Sequence, residues 1–359
     1  MMKRLLICLL SSLEGLTVCA QSVEEKPLKV TGYLETYYSY DFGKPGNNLR
    51  PGFLYSYNRH NEVNINLGYI KAAYEKDNVR ANLALMAGTY ANANLAAERG
   101  VMRNVFEANA GVKIMKEHQL WIDAGIFASH IGFESAIGKD CWNLTRSILA
   151  ENSPYYESGV RVSYTSSNDK WYVSGLFLNG WQRIQRVDGN HTPAFGHQVT
   201  FKPNDKLVFN SSSFIGNDKP DSVKQMRYFH NFYALMQFSG KLGLIAGFDI
   251  GAEQKAKGSS GYNTWYSPVL ILRYKPVEKV AIAARGEYYR DEKGVIIATA
   301  TPDGFQTWGY SLNFDYTILD NVMWRIEGRG FSGKDAIFLK DATPSTTNFS
   351  LTTSLAISF

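Results

Sequence analysis

Apolar and polar residues alternate along nearly the whole chain, in segments of about ten residues separated by turn-forming stretches. In 29–42, Val30, Leu34, Tyr38, Tyr40 and Phe42 share one face with Gly32 and Thr36. Lys29, Thr31, Tyr33, Glu35, Tyr37, Ser39 and Asp41 share the other. Successive strand side chains point to opposite faces, so this is one greasy and one wet face. Later segments repeat the pattern. Trp308, Tyr310, Leu312, Phe314 and Tyr316 alternate with Thr307, Gly309, Ser311, Asn313 and Asp315. Trp324 and Ile326 oppose Arg325, Glu327 and Arg329, while Val280, Ile282, Ala284 and Tyr288 oppose Arg285 and Glu287. No window of similar length has a helical period with caps.

Sixteen strands are predicted, at 29–42, 62–75, 78–92, 104–115, 119–129, 157–166, 170–181, 195–203, 206–216, 226–238, 241–253, 262–275, 278–290, 306–318, 321–332 and 346–359. Short polar links (75–78, 165–170, 203–206, 319–321) alternate with long connections, among them 43–61, 130–156, 182–194, 291–305 and 333–345. An even strand number with alternating short turns and long loops predicts an all-β fold, a transmembrane antiparallel outer-membrane β-barrel. A soluble β-sandwich would also alternate, but it would bury Arg325, Glu327 and Arg329 in an apolar core at high cost. In a barrel that face looks into water. The register is ambiguous around 69–74 and 171–178, where a bulge would flip which residues face inward.

Composition fits this reading. A mean hydropathy of −0.25 and the absence of a long apolar run exclude a helical membrane protein. The 22 Tyr, 20 Phe and 7 Trp divide, in this reading, between the lipid face and aromatic girdles at the two interfaces. Residues 1–20 read as a secretory signal, with Lys3 and Arg4, an apolar centre at 5–10 and Val18-Cys19-Ala20 before cleavage, leaving 21–359 as a single barrel domain. Lipidation at Cys19 is the alternative, disfavoured by the bulk of Val18. Beyond the signal the only cysteine is Cys141, so no intramolecular disulfide forms there. The net charge of +5 becomes +4 once Lys3, Arg4 and Glu14 leave, and no basic patch interleaved with aromatics points to nucleic acid.

The chain ends on Phe359, with Ile357, Leu355, Leu351 and Phe349 on the same face. A terminal aromatic on a final amphipathic strand resembles the signal read by the bacterial barrel-assembly machinery. The runs Asp123-Ala124-Gly125-Ile126-Phe127, Gly132-Phe133-Glu134, Trp142-Asn143-Leu144-Thr145-Arg146-Ser147, Pro154-Tyr155-Tyr156-Glu157-Ser158-Gly159-Val160-Arg161 and Asn179-Gly180-Trp181-Gln182 carry a further likeness. They resemble the OmpL-like β-barrel porin family (beta-barrel porin-2) of Gram-negative bacteria, of the Bacteroidetes type. The resemblance implies a diffusion channel without naming its solute, and it carries over no catalytic residue.

Sixteen strands leave room for an aqueous lumen. The wet face carries Lys29, Arg80, Lys113, Arg161, Arg273, Arg285, Arg325 and Arg329 against Glu35, Asp41, Glu107, Asp123, Asp249, Glu287, Asp315 and Glu327, a balanced wall that predicts weak ion selectivity. Arg285, Arg325 and Arg329 form either a basic ladder or ion pairs with Glu287 and Glu327. The 130–156 connection, the third on its side, holds Glu134, Lys139, Asp140, Arg146 and Glu151 as candidates for a pore constriction. The alternative is an ordinary surface loop. The histidines show no paired metal spacing, no cofactor motif is present, and a scattered hydrolase triad would have to centre on His130 with Glu134 or Asp123.

The expected protein is therefore a bacterial cell outer-membrane porin that catalyses nothing and needs no cofactor or metal. It would pass small hydrophilic solutes, sit in outer-membrane lipid and lipopolysaccharide, and be open to homotrimer formation. Rival readings are a plugged barrel whose loops bind a ligand or host surface, and a barrel hydrolase.

Overall fold

The structure, a computed structural model, describes residues 26–359; the signal expected at 1–20, with Cys19, lies outside the described residues. The first eight strands are β1 (Leu28–Asp41), β2 (Val63–Lys76), β3 (Val79–Ala87), β4 (Val105–Lys113), β5 (Gln119–Ala128), β6 (Tyr156–Thr165), β7 (Trp171–Leu178) and β8 (Ala194–Asn204). They continue as β9 (Leu207–Gly216), β10 (Arg227–Gln237), β11 (Leu242–Gln254), β12 (Tyr262–Val277), β13 (Val280–Asp291), β14 (Phe305–Leu319) and β15 (Val322–Gly333). A small hairpin, β16 (Phe338–Lys340) and β17 (Thr343–Ser345), precedes the last strand, β18 (Thr347–Ser358). All the strands except β16 and β17 form one closed antiparallel barrel, with β18 paired to both β15 and β1. Closure leaves no unpaired edge, the condition for spanning a bilayer with strands.

The faces are inverted relative to a soluble protein. Leu312 and Trp308 on β14 are each 62% exposed, whereas their neighbours Asn313 and Thr307 are fully buried. The apolar face meets lipid and the polar face points inward. At the seam, the Gly32 N–H donates to the Phe359 carbonyl at 2.7 Å and the Phe359 N–H to the Gly32 carbonyl at 3.0 Å. The Phe359 ring lies against Gly32, where any side chain would collide with it.

Three local departures from the sequence pattern have clear causes. The third strand ends at Ala87, not residue 92, because Gly88 (φ 129°) turns the chain into a short helix, α1 (Thr89–Asn94). The 333–345 connection contains the β16–β17 hairpin. In β2 the pairing steps from Glu35↔Leu67 to Thr36↔Ile65, so Asn66 is an extra residue and both Asn66 and Leu67 turn inward. That bulge lies beside the 69–74 segment; the 171–178 segment pairs without a shift.

Aromatics also fill the interior, beyond the girdle and lipid positions the sequence predicts. Phe53, from the β1–β2 connection, sits edge-on to Phe305 (4.8 Å) and Phe331 (5.4 Å) inside the barrel mouth. Ile148, Phe214, Phe229 and Trp265 join this cluster.

Candidate functional site

The 129–155 connection leaves β5, crosses the barrel interior to the inward faces of β13, β14 and β15, and returns to β6 beside β5. Its tip, Thr145, is held by the far wall. The Thr145 N–H donates to Glu327 at 2.5 Å, while Arg285 donates to the Thr145 carbonyl (2.7 Å) and hydroxyl (3.0 Å). Arg329 donates to the same hydroxyl at 3.2 Å. On either side, the Ile148 N–H donates to Glu287, the Leu144 N–H to Asn313 and the Asn143 amide to Ser311. Arg325 donates to the carbonyls of Gly138 (2.6 Å) and Cys141 (3.0 Å) while paired with Asp315 at 2.6 Å. A loop buried in a lumen must satisfy its backbone groups, and here wall side chains do so.

Arg285, Arg325 and Arg329 are ion-paired, the second of the two arrangements the sequence left open. Arg285 contacts Glu287 (3.2 Å) and Glu327 (3.0 Å), and Arg329 contacts Glu287 (2.8 Å). All of these side chains are buried beneath the loop and do not face open water.

The loop's own charged residues fall into two groups. The Arg146 guanidinium points into the loop and donates to the carbonyls of Ser135, Leu144 and Ala136. Glu134 accepts the Ser147 N–H and hydroxyl at the start of the short helix α2 (Ile148–Glu151). Glu151 accepts the N–H groups of Tyr55 and Ser56, tying this loop to the β1–β2 connection. Burial raises the carboxyl pKa of Glu134, against the pull of Arg285, and pushes that of Glu151 up to about 7, against the pull of Arg146. Lys139 and Asp140 are the exposed members, paired with each other at 3.0 Å.

On the opposite wall the bases and Glu107 stay partly exposed, while Asp123 is buried beneath two arginines. Arg80 grips Asp123 through two nitrogens (2.7 and 2.6 Å), and Arg161 reaches the same carboxylate at 3.3 Å. Lys71 pairs with Glu107 at 2.5 Å, and Lys113 follows Glu107 on the same face of β4. Gly111 separates Arg80 from Asp123 in the strand pairing, and a Cβ there would meet the Asp123 carboxylate; the glycine makes the contact possible.

His130 is buried between Glu157 (2.7 Å) and the Ser213 carbonyl (2.8 Å), with neither Glu134 nor Asp123 as partner. The nearby Glu157 carboxylate outweighs burial, which lowers it, and holds the His130 pKa above its usual value. Sequence reasoning missed a second feature, because its residues lie far apart in the chain. His197 and His230 face outward with ring centroids 5.6 Å apart, bonded to Ser213 and Ser211. Among the described residues no group of three or more His, Cys, Asp or Glu is placed to hold a metal.

A family model described as "Putative beta-barrel porin-2, OmpL-like" matches residues 27–359. The chain belongs to this family. It is an outer-membrane β-barrel protein, and family and fold together support a porin or channel role. The fold is similar to an anion-selective porin from Comamonas acidovorans (TM-score 0.61, 8% identity, 92% of this chain and 99% of that one). It is also similar to the outer membrane channel DcaP of Acinetobacter baumannii (0.60, 10%, 92% and 97%). A third is OmpT of Vibrio cholerae in a trimer form (0.60, 12%, 92% and 99%). No curated protein sequence matches the chain.

Proposed function

We propose that the protein is a passive pore for small hydrophilic solutes, with the 129–155 connection as its constriction, and that it catalyses nothing. The observation that carries this is the clamp on Thr145. A loop fastened by Arg285, Arg329 and Glu327 to the wall opposite its origin divides the lumen, so solutes would pass along the remaining side. In this reading Glu134, Arg146 and Glu151 hold the loop's shape, and Lys139 and Asp140 are its members in contact with solute. The wall that solutes meet would carry Glu107, Lys113 and Arg161, with Asp123 buried behind Arg80 and Arg161, whereas Arg285, Glu287, Arg325, Glu327 and Arg329 anchor the loop.

The remaining parts fit export and assembly. Residues 1–20 would direct the chain outward as a cleaved signal, Phe359 would be read by the barrel-assembly machinery, and 21–359 would form one domain surrounded by lipid and lipopolysaccharide. A homotrimer is proposed by analogy with the trimeric neighbour. Reconstitution into planar bilayers tests the reading. Discrete conductance steps are expected, larger after deletion of 139–152. Steps unchanged by the deletion would remove the constriction, and absence of any conductance would favour a ligand-binding barrel.

A further inference from the structure

The lumen's charges are balanced in sequence but not in accessibility. Its carboxylates are used up by the loops. Glu327 and Glu287 accept loop N–H groups, Asp291 accepts those of Val295, Ile296 and Ile297, and Glu35 accepts the Tyr57 hydroxyl. Each of these four is no more than 2% exposed. The inward strand charges that stay partly or fully exposed include Lys71, Arg80, Lys113, Arg161, Lys202, Arg273 and Lys275, against Glu107 and Glu75, the latter directly opposite Arg80 in the β2–β3 pairing. Docking consumes both signs on the far wall, where Glu287 and Glu327 accept loop N–H groups and Arg285, Arg325 and Arg329 donate to loop oxygens, so the charges left wet are those of the uncovered wall.

The bases concentrate across β3 to β6. Arg80 and Arg161 share one carboxylate, Asp123, which is 1% exposed; two guanidinium charges thus answer one negative charge. The Arg161 Nε is buried without a partner among the described residues. Both guanidinium groups lie over aromatic rings, Arg80 on Trp121 at 4.2 Å and Arg161 on Phe127 at 4.8 Å, which fixes their planes before any solute arrives. Lys113 lies on the same inward face, opposite Trp121 in the β4–β5 pairing. Fixed planar guanidinium groups match the oxygen geometry of carboxylates and phosphates.

Granted the pore reading above, we propose that Arg80, Arg161 and Lys113 form an anion-binding strip that makes the channel anion-selective and holds the carboxylate or phosphate group of small solutes. Removing one unit charge about 5 Å from a permeating ion changes that ion's local concentration about fourfold at the dielectric constant of water. The effect fades as salt rises, because the screening length shrinks.

The test is the reversal potential of the full-length pore in an asymmetric KCl gradient. Chloride is expected to permeate more readily than potassium, with the ratio falling severalfold in Lys113→Gln and again in Arg161→Gln. Inorganic phosphate is expected to depress the chloride current, and less so in Arg161→Gln. Lys113 makes no ion pair among the described residues, so Lys113→Gln carries the test if Arg161→Gln does not assemble. Normal conductance with potassium preferred, a ratio untouched by both variants, or no phosphate effect overturns the strip while leaving the pore intact. Absence of conductance overturns both.

Discussion

Replacing Arg285 by Met tests the clamp on the loop. Methionine keeps much of the arginine's length and apolar stem but loses the charge and every donor. The guanidinium makes two hydrogen bonds to Thr145 and one to Glu327, and lies 3.2 Å from Glu287. Arg285 and both carboxylates are at most 3% exposed, so the change leaves buried negative charge with only Arg329 to answer it. Breaking a buried pair in this way costs about 3–5 kcal/mol. Glu327→Gln keeps an acceptor for the Thr145 N–H while removing the orphaned charge. The double variant should therefore regain part of the loss, with a coupling of about 1–3 kcal/mol. Urea unfolding of the barrel in lipid vesicles measures the energies, and single-channel recording measures the loop. Arg285→Met should show larger, noisier steps as the tip leaves the wall. Stability within about 0.5 kcal/mol of wild type, together with unchanged conductance, would refute the reasoning.

Three further outcomes are expected. The folded Glu151 carboxyl titrates at about 7, above its usual 4.5, so the folded state holds that proton more tightly than the unfolded chain. Docking of the loop should therefore strengthen as pH falls through about 7 towards 4.5 and weaken above it. Conductance noise followed against pH should lose part of this trend in Glu151→Gln, with Glu134, shifted in the same direction, supplying the remainder. Cys141 is buried and its thiol pKa is pushed up to about 11, so charged thiol reagents at neutral pH should leave it unmodified by mass spectrometry. Gly125 on β5 has φ 128°, and an added Cβ would lie 2.2 Å from the Ala108 carbonyl oxygen; Gly125→Ala should lower stability by about 1–3 kcal/mol in the same urea assay.

The strands were readable because their signal is local. Alternation with period two places every barrel strand within a few residues of its position, and the misplaced end at Ala87 follows from one backbone angle at Gly88. The bulge at Asn66 was not readable, since Asn66 and Leu67 differ in polarity yet both turn inward. The inward charges were also legible, but their fates were not. Whether Glu327 faces water depends on the Thr145 N–H, 182 residues earlier in the chain, and no local pattern records that meeting. The same holds for Phe53, which reads as a loop aromatic and packs into a buried cluster against Phe305 and Phe331.

Thiol accessibility in the lumen tests the division between a loop-covered wall and a wet wall most directly. Ser311 lies under the loop, bonded to the Asn143 amide, whereas Lys113 sits on the uncovered side. With Cys141 silent as background, a negatively charged thiosulfonate reagent is added to single channels of Lys113→Cys and of Ser311→Cys. The account predicts a stepwise change in current for Lys113→Cys and none for Ser311→Cys. Rapid modification at Ser311→Cys, or none at Lys113→Cys in a conducting pore, would contradict it.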